Sequence, residues 1–321
     1  MRLRLVPETT RMNFFRMDRI PLLFSMIAVV ASLVLFAIVG LNFGIDFRGG
    51  TLIMAETPEE QPVGDFRDVL TELDIGEVAV TRVSDPAGRE RHAVLMRIGI
   101  TDEDPDAQKA LVTQVQETLN AAFPGISYLQ IDNVGAKVSG ELVTAGILAV
   151  VSAIAAILFY IWLRFEWQFS VAAVAALVHD VALTIGIFSL LQIEFNLSII
   201  AAILTIVGYS LNDTVIVFDR VRENLRKYKT KDLQDVLNLS INETLARTVM
   251  TSGTTLIALL ALYFLGGEVI RGFTFAMIWG VVVGTYSSIW IASTILLRLG
   301  VKRDWSKPSA GAGNQFANID A

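Results

Sequence analysis

Two charged side chains of this sequence lie in, or at the edge of, long apolar stretches. Asp213 stands within SLNDTVIVF, and Arg247 stands at the start of a later apolar stretch. An ionisable side chain in hydrocarbon costs at least a few kcal/mol, so each one requires an explanation. An Asp that meets an Arg in a low-dielectric setting can exchange a proton between two conformations, which is the chemistry of proton coupling. A static ion pair that holds two helices together is the alternative interpretation.

His179 and Asp180 form a second polar pair, near the middle of another apolar stretch. Helical spacing places Ala172, Ala176 and Thr184 on the same face as Asp180, where a neighbouring helix can approach. His179 lies about 100° around the helix and need not line the same path. A coupling role and a structural polar role are both open for this pair.

Hydroxyl groups continue from Arg247 into its apolar stretch. Thr251, Thr254 and Thr255 follow at i+4, i+7 and i+8, and therefore share one helix face with Arg247. If this face meets Asp213, the hydroxyls form a short polar path for water or protons. Alternatively, they donate hydrogen bonds to carbonyl groups of their own helix.

A stripe of small residues occupies every fourth position of the last apolar stretch. Its members are Gly272, Ala276, Gly280, Gly284, Ser288 and Ala292. Small residues let helix backbones approach closely, which is the main route to packing in lipid. The stripe indicates helix packing, and sliding during a conformational cycle is the alternative.

The composition argues against most other kinds of chemistry. Of 321 residues, 53% are hydrophobic and 18% are charged, whereas ordinary soluble domains have about 25% charged residues. The net charge of −6 provides no basic excess for nucleic acid. The chain has no cysteine and two histidines, and it lacks the P-loop, GxGxxG, HExxH, GxSxG and GxGD motifs. We therefore expect no enzymatic activity, no cofactor and no metal site.

Six apolar stretches are long enough to cross a membrane, which takes about 20 helical residues. They lie at 20–41, 142–163, 169–191, 196–218, 249–267 and 272–297. The first stretch exceeds the apolar run of a signal peptide and no small-x-small site follows it, so we predict an uncleaved anchor. The pattern predicts a polytopic α-helical membrane protein, with spans two to six in the region 141–298.

The distribution of Lys and Arg near the span ends predicts the orientation. These residues are frequent in the N-terminal segment 1–19, the connection 219–248 and the tail 299–321. The connections 192–195 and 268–271 together contain one basic residue, Arg271. We therefore expect both termini on the cytoplasmic side.

One cytoplasmic connection contains an amphipathic pattern at 231–246, with Thr230 as the expected cap. Its apolar residues share one face, and we expect this helix to lie along the membrane surface.

The region 42–140, between the first two spans, is predicted to be an exported domain of its own. It contains 8 Lys and Arg against 17 Asp and Glu, a net charge of −9. The pattern predicts strands at 46–56, 77–84, 91–99 and 126–133 and helices at 62–73 and 105–123. Asp104 is the expected cap of the second helix. The order βαββαβ is typical of a ferredoxin-like fold.

The motif GIDFRGG stands where the first span enters this domain. Gly44, Gly49 and Gly50 provide either a hinge or an ordinary turn into the first strand.

Several long motifs in the same order resemble one known family. They are GIDFRGG at 44–50, GAKVSGEL at 135–142, HD at 179–180, SLNDTVIVFDRVREN at 210–224, LNLSINETLARTVMTSGTTL at 237–256 and GTYSSIWIA at 284–292. With these motifs the sequence resembles the SecF family, the smaller membrane subunits of the bacterial SecDF protein-export accessory complex. That complex is related to the resistance-nodulation-division transporters. The SecD family is similar in these motifs, but its exported region is usually much larger.

The resemblance implies the function, the partners and the location of the protein. It implies six spans in the bacterial inner membrane and use of the proton motive force through Asp213 and Arg247, with protons as the coupling ion. The implied partners are a SecD subunit, the SecYEG translocon, a translocating unfolded polypeptide and the lipid bilayer. A half-transporter for a small solute or lipid and a passive scaffold for the translocon are the alternative functions.

Overall fold

The computed structural model describes residues 10–16, 19–73, 75–76, 78–83, 92–99, 104–267 and 269–301. Most of the predicted tail 299–321 therefore lies outside the described residues. The chain is mostly helical, with a small antiparallel sheet. Among the described residues, six helices are long and apolar enough to cross a membrane, as the sequence predicts.

The membrane helices begin and end as follows. They are α1 Arg19–Ile38, α5 Ala136–Arg164, α6 Trp167–Leu191, α7 Leu197–Lys227, α8 Leu233–Leu265 and a composite sixth helix. The composite helix consists of α9 Arg271–Tyr286, a π-helix at Ser287–Ala292 and α10 Ser293–Leu299.

Helix α7 is longer than the predicted span 196–218. It begins after Asn196, whose side chain accepts a hydrogen bond from the Ile199 amide at 3.3 Å, and it continues to Lys227. Its 31 residues correspond to roughly 46 Å at 1.5 Å per residue, more than the hydrocarbon thickness of about 30 Å. The charged end of α7 therefore projects beyond the apolar part of the bundle.

The expected amphipathic helix at 231–246 is not a separate element, which corrects the prediction. It forms the first part of α8, which runs unbroken from Leu233 to Leu265 with Asp232 rather than Thr230 at its cap position. Its apolar side chains Val236, Leu237 and Ile241 are buried in a core. The apolar face is thus covered by protein, because the extension of α7 lies beside it, and does not lie on lipid.

The N-terminal segment covers the same part of α8. Phe14 and Phe15 are buried in the core that contains Leu237. The Phe14 amide donates to the Asn238 side chain at 2.9 Å, and the Met12 amide donates to the Asn242 side chain at 2.9 Å. Side-chain amides of α8 thereby hold the segment that precedes the first span.

The sheet domain lies between α1 and α5. Its strands are β1 Gly50–Thr57, β2 Val78–Val83, β3 His92–Ile98 and β4 Ser127–Val134. They pair in the order β2-β3-β1-β4, and all three pairings are antiparallel. Two helices, α3 Val63–Thr71 and α4 Pro105–Ala122, complete the domain.

The start of this domain differs from the predicted strand 46–56. Residues Ile45–Arg48 form a short helix, α2, and β1 begins only at Gly50. Gly49 and Gly50 have φ of 74° and 122°, and such positive values suit glycine and break an extended strand. The change from α2 to β1 therefore occurs at the two glycines.

The core of the sheet domain lies between the sheet and its two helices. Phe66 of α3 stacks on Phe123 with ring centroids 4.1 Å apart. Leu119 of α4 is fully buried, in one cluster with Ile53. As predicted, the Asp104 side chain caps α4, accepting from the Asp106 amide at 3.1 Å.

Candidate functional site

Asp213 lies on the buried side of α7. It is 2% exposed, and one of its carboxylate oxygens, Oδ2, has no hydrogen-bond partner among the described residues. The Ser252 hydroxyl and the Arg247 guanidinium, both on α8, act on its charge. Two neighbouring helices therefore bring a carboxylate, a hydroxyl and a guanidinium to one region.

Arg247 and Asp213, both described residues, interact without a direct ion pair in this structure. The Arg247 side chain is exposed on α8, and it acts on Asp213 only electrostatically. The direct ion pair that the sequence left open is therefore not formed in this structure.

The threonines that follow Arg247 bond to their own helix. Thr251 donates to the Arg247 carbonyl at 3.1 Å, Thr254 to the Met250 carbonyl at 2.9 Å and Thr255 to the Thr251 carbonyl at 2.9 Å. Of the two expectations for these hydroxyls, the structure thus shows hydrogen bonds to carbonyl groups of their own helix. In addition, Thr255 accepts a hydrogen bond from the Tyr209 hydroxyl of α7 at 3.2 Å.

Ser252, which the sequence pattern did not single out, is the α8 hydroxyl that acts on Asp213. It is 5% exposed, and its hydroxyl lies 2.7 Å from that of Thr285 in α9. It follows Arg247 at i+5, off the face that carries the threonines. The spacing LNDT on α7 and TSGTT on α8 identified the helices but not which hydroxyl faces inward.

Asp180 forms a separate buried cluster between three helices. Its Oδ2 accepts hydrogen bonds from Ser210 of α7 at 2.6 Å and from Ser287 at 2.8 Å. Its Oδ1 lies 2.9 Å from Nδ1 of His179. Asp180 is 0% exposed, so the carboxylate is fully enclosed by these partners.

His179 joins the cluster directly, a contact that the sequence left open. It is 5% exposed, and its Nε2 has no partner among the described residues. Its ring centroid lies 6.1 Å from that of Tyr286. The Tyr286 hydroxyl lies 3.0 Å from Ser25 of α1, so α1 packs near this cluster.

The sixth membrane helix changes to π geometry where it meets this cluster. Ser287 begins the π-helix, and Ser288 forms a hydrogen bond with Thr214 of α7 at 2.9 Å. A π turn inserts a residue into the helical repeat, and such turns are frequent at functional sites. As a result, Ser287 bonds to Asp180 of α6 and the next residue, Ser288, bonds to Thr214 of α7.

The small-residue stripe packs against α7. A Cβ placed on Gly284 would lie 2.9 Å from Ser210 Cβ, and one placed on Gly280 would overlap Ile206. Ala276, Gly280, Gly284 and Ser288 are buried, whereas Gly272 is partly exposed at the end of the stripe. The stripe thus sets the distance between α9 and the helix that carries Asp213.

The three glycines of GIDFRGG have different surroundings. A Cβ placed on Gly44 would overlap Glu194 and lie 3.3 Å from Asn196 Cβ. Gly50 faces the Ile98 carbonyl of β3 at a distance too short for any side chain. Gly44 and Gly50 are therefore sites of close approach, in addition to the turn at Gly49.

Within the described ranges, no three His, Cys, Asp or Glu side chains are placed to hold a metal ion. The buried polar groups of the bundle instead form hydrogen bonds between helices, among them Ser210 and Ser287 with Asp180.

Two models of known protein families match this chain. A model described as "Protein export membrane protein SecD/SecF, C-terminal" matches residues 114–302. A second, described as "SecD/SecF GG Motif", matches residues 34–53. This protein belongs to the SecD/SecF family.

Two SecF relatives are similar to this chain over nearly their whole length. The chain is 52% identical over 321 residues to the protein translocase subunit SecF of Cereibacter sphaeroides, of which it covers 99%. It is 49% identical to the SecF subunit of Rhodobacter capsulatus, with coverage of 95% of this chain and 94% of that protein. These relatives are named protein translocase subunits, in agreement with the transport role expected from the sequence.

Solved structures of the family show the same fold. The crystal structure of SecDF, a translocon-associated membrane protein from Thermus thermophilus, matches with a TM-score of 0.80 and 34% identity. The match covers 92% of this chain and 39% of that chain. A SecDF structure in a super-membrane-facing form matches with a TM-score of 0.63 and 36% identity. The chain thus corresponds to about two fifths of the solved SecDF chains.

The two family matches divide the candidate residues. The GG-motif match contains Gly44, Gly49 and Gly50, and the C-terminal match contains Asp180, Asp213 and the small-residue stripe. The SecD/SecF signature therefore includes both the membrane helices and the segment that joins the sheet domain to them.

Proposed function

We propose that this protein works with a SecD subunit to promote export of polypeptides, using the proton motive force. The similarity to SecF translocase subunits over the full chain supports the export function. The observation that carries the coupling is the buried carboxylate of Asp213 in α7, which has an oxygen free of protein partners among the described residues.

Asp213 is the proposed proton-binding residue, and Arg247 is its proposed charge partner. A carboxyl group in a low-dielectric site is neutral when protonated, and needs an opposite charge when ionised. Arg247 lies on the adjacent helix without a direct ion pair, so proton release from Asp213 would draw the two side chains together. Thr251 and Thr255 bond to carbonyls of α8, and Thr255 also accepts from Tyr209 of α7, so we assign these two threonines to the contact between α8 and α7 and not to the proton path.

The Asp180 cluster is the proposed second element of the coupling path. Asp180 and His179 are linked to α7 and the π-helix by short hydrogen bonds. A change in α7 at Asp213 therefore reaches Asp180 through Ser210, which lies one turn earlier on the same helix.

The energy of the membrane potential is sufficient for such a step. Moving one elementary charge through 100 mV is worth about 2.3 kcal/mol. This free energy shifts a two-state equilibrium about fifty-fold.

We infer that the sheet domain is ferredoxin-like and lies in the periplasm, outside the inner membrane. The βαββαβ order and the strand order β2-β3-β1-β4 support the fold. The excess of Lys and Arg in 1–19 and 219–248 supports a cytoplasmic position of these segments and of both termini. The domain at 42–140 then lies on the opposite side.

The SecD partner is inferred from the bundle itself as well as from the relatives. Few residues are buried in the apolar parts of α1, α5 and α8, and Arg247 is exposed on α8. An exposed guanidinium against lipid is costly, and a second six-span subunit would cover it. The solved SecDF chains, of which this chain covers 39%, support a twelve-span unit. The SecYEG translocon and the translocating polypeptide are the proposed further partners.

The test replaces Asp213 by asparagine, which keeps the shape of the side chain but cannot ionise. Asp213→Asn should fold and assemble, yet lose the export that depends on the proton gradient, measured with inner-membrane vesicles. Arg247→Met should have the same effect. The control is Asp219→Asn on the same helix, because Asp219 is 60% exposed and pairs with Arg164. Full gradient-dependent export by Asp213→Asn would contradict the proposal and favour a passive scaffold.

A further inference from the structure

The segment that leaves α1 is bonded to the connection that enters α7. The Gly44 amide donates to the Phe195 carbonyl at 2.9 Å, and the Phe195 amide donates to the Asn42 carbonyl at 2.8 Å. Phe43 and Phe195 form a parallel bridge. Two backbone hydrogen bonds therefore hold the exit of the first membrane helix against the entrance of the fourth.

Asp46 of α2 reaches the N-terminus of α7 directly. Its Oδ2 accepts a hydrogen bond from the Leu197 amide at 2.7 Å. The first amides of a helix have no partner within the helix, and an anionic acceptor there also interacts favourably with the helix dipole. GIDFRGG is thus attached to the helix that carries Asp213.

Arg97 of β3 joins the sheet domain to the same connection. Its guanidinium pairs with Glu194 and also donates to the Asn42 side chain at 3.4 Å. The side chains of Arg97 and Glu194 are 27% and 21% exposed. A charge pair shielded to this extent is screened by salt less than a surface pair.

This contact region leaves little space for movement. Gly44 approaches Glu194 and Asn196 so closely that a Cβ would overlap. The rings of Phe43 and Phe195 pack edge to face with centroids 6.0 Å apart. Such close packing argues for a rigid connection, not for a hinge at GIDFRGG.

We propose that Asp46, Arg97 and Glu194 form a rigid junction that transmits movement of α7 to the sheet domain. The inference rests on the proposed function, because it requires that α7 moves when Asp213 exchanges its proton. The three residues act through α7 and β3 and are positioning residues. GIDFRGG is then a rigid connection between the helix that carries Asp213 and the sheet domain.

The first test is a charge reversal in the full chain with its SecD partner. Arg97→Glu should place two carboxylates against each other and reduce gradient-dependent export to the level measured without a gradient. Arg97→Glu combined with Glu194→Arg should restore export, because the pair is rebuilt with its charges exchanged. The control is Arg82→Glu, which breaks an ion pair with Glu60 inside the sheet domain and should leave export unchanged.

These outcomes separate the junction from the proposed function. If wild type shows gradient-dependent export and Arg97→Glu shows the same, the junction is wrong and the function stands. If the reversed pair stays as inactive as Arg97→Glu, the ion pair is not the transmitting contact. If the wild-type protein shows no dependence on the gradient, the proposed function itself fails.

The second test asks whether the junction is rigid. The bridge between Phe43 and Phe195 places the two backbones close enough for a disulfide, and the chain has no other cysteine. In the variant with Phe43→Cys and Phe195→Cys, oxidation should preserve the gradient-dependent export of the reduced protein. Loss of export on oxidation, with recovery on reduction, would show that the contact must open and would overturn the rigid junction.

Discussion

The two buried carboxylates of the helix bundle differ in how their oxygens are satisfied. Asp180 has partners for both oxygens, in His179, Ser210 and Ser287. Asp213 has one oxygen without a partner among the described residues. A fully bonded carboxylate holds its neighbours in place, whereas an incompletely bonded one can bind a proton without breaking several hydrogen bonds. This difference favours Asp213 over Asp180 as the residue of the proposed proton exchange.

Removal of one donor to Asp180 tests the role of its cluster. Ser287→Ala deletes a hydrogen bond to a buried carboxylate, and such bonds contribute about 1.5–3 kcal/mol. We expect a clear decrease in the melting temperature of the purified complex. The matched control is Ser293→Ala, since Ser293 is also buried but bonds only to the Ser288 carbonyl of its own helix. Equal effects at both serines would contradict the cluster's role in stability.

At the scale of elements, the packing of α9 on α7 decides where the polar groups lie. Gly280 and Gly284 face Ile206 and Ser210 of α7 at distances that exclude any side chain. The resulting closeness lets Ser287 reach Asp180 and lets Ser288, itself a member of the stripe, reach α7. The small residues therefore serve the polar cluster as well as the packing.

A bulky residue in the stripe should separate these helices. We expect Gly284→Leu to reduce thermal stability and gradient-dependent export, because overpacking costs about 1–3 kcal/mol or more. Val282→Leu should be tolerated, since Val282 is 49% exposed. Comparison of melting temperature and export for the two variants provides the measurement. Similar tolerance at both positions would mean that the close approach is dispensable.

The continuous α8 is the element that differs most from its prediction. The pattern at 231–246 is amphipathic, but its apolar face packs on α7 and on Phe14 rather than on lipid. Periodicity identifies an apolar face without identifying what covers it. The extension of α7 to Lys227 provides this cover.

For the whole molecule, the orientation can be tested with single cysteines, because the natural chain has none. A cysteine at Glu59, exposed in the sheet domain, should react with a membrane-impermeant thiol reagent added to intact cells. A cysteine at Lys229, exposed between α7 and α8, should react only after the membrane is opened. Labelling of Lys229→Cys in sealed cells would reverse the proposed orientation.

The partner can be tested in the native membrane. We expect this protein to co-purify with SecD, and cysteines at exposed positions of α8 to crosslink to it. The physical reason is that Arg247 is exposed on α8, where lipid would be an unfavourable neighbour. The control places the cysteine at Phe66, which is fully buried in the sheet domain and should not crosslink. A chain that purifies alone with full proton-linked export would contradict the twelve-span assembly.

The sequence by itself determined the class of the protein and the helices that carry its polar residues. Apolar runs of about 20 residues indicate membrane helices, and an ionisable residue within such a helix is costly. Asp180, Asp213 and Arg247 could therefore be identified from the sequence. Local signals also sufficed for the Asp104 cap and for the order of strands and helices in the sheet domain.

Only the tertiary structure decided which of these groups meet. Helical spacing defines a face, but the rotation of one helix against another depends on packing along its whole length. Ser252 rather than the threonines therefore faces Asp213, and Ser210 and Ser287 bond to Asp180. The contact of Arg97 with Glu194 joins residues 97 positions apart, and no local pattern encodes such a pairing because it forms only when the sheet domain and the membrane helices have folded against each other.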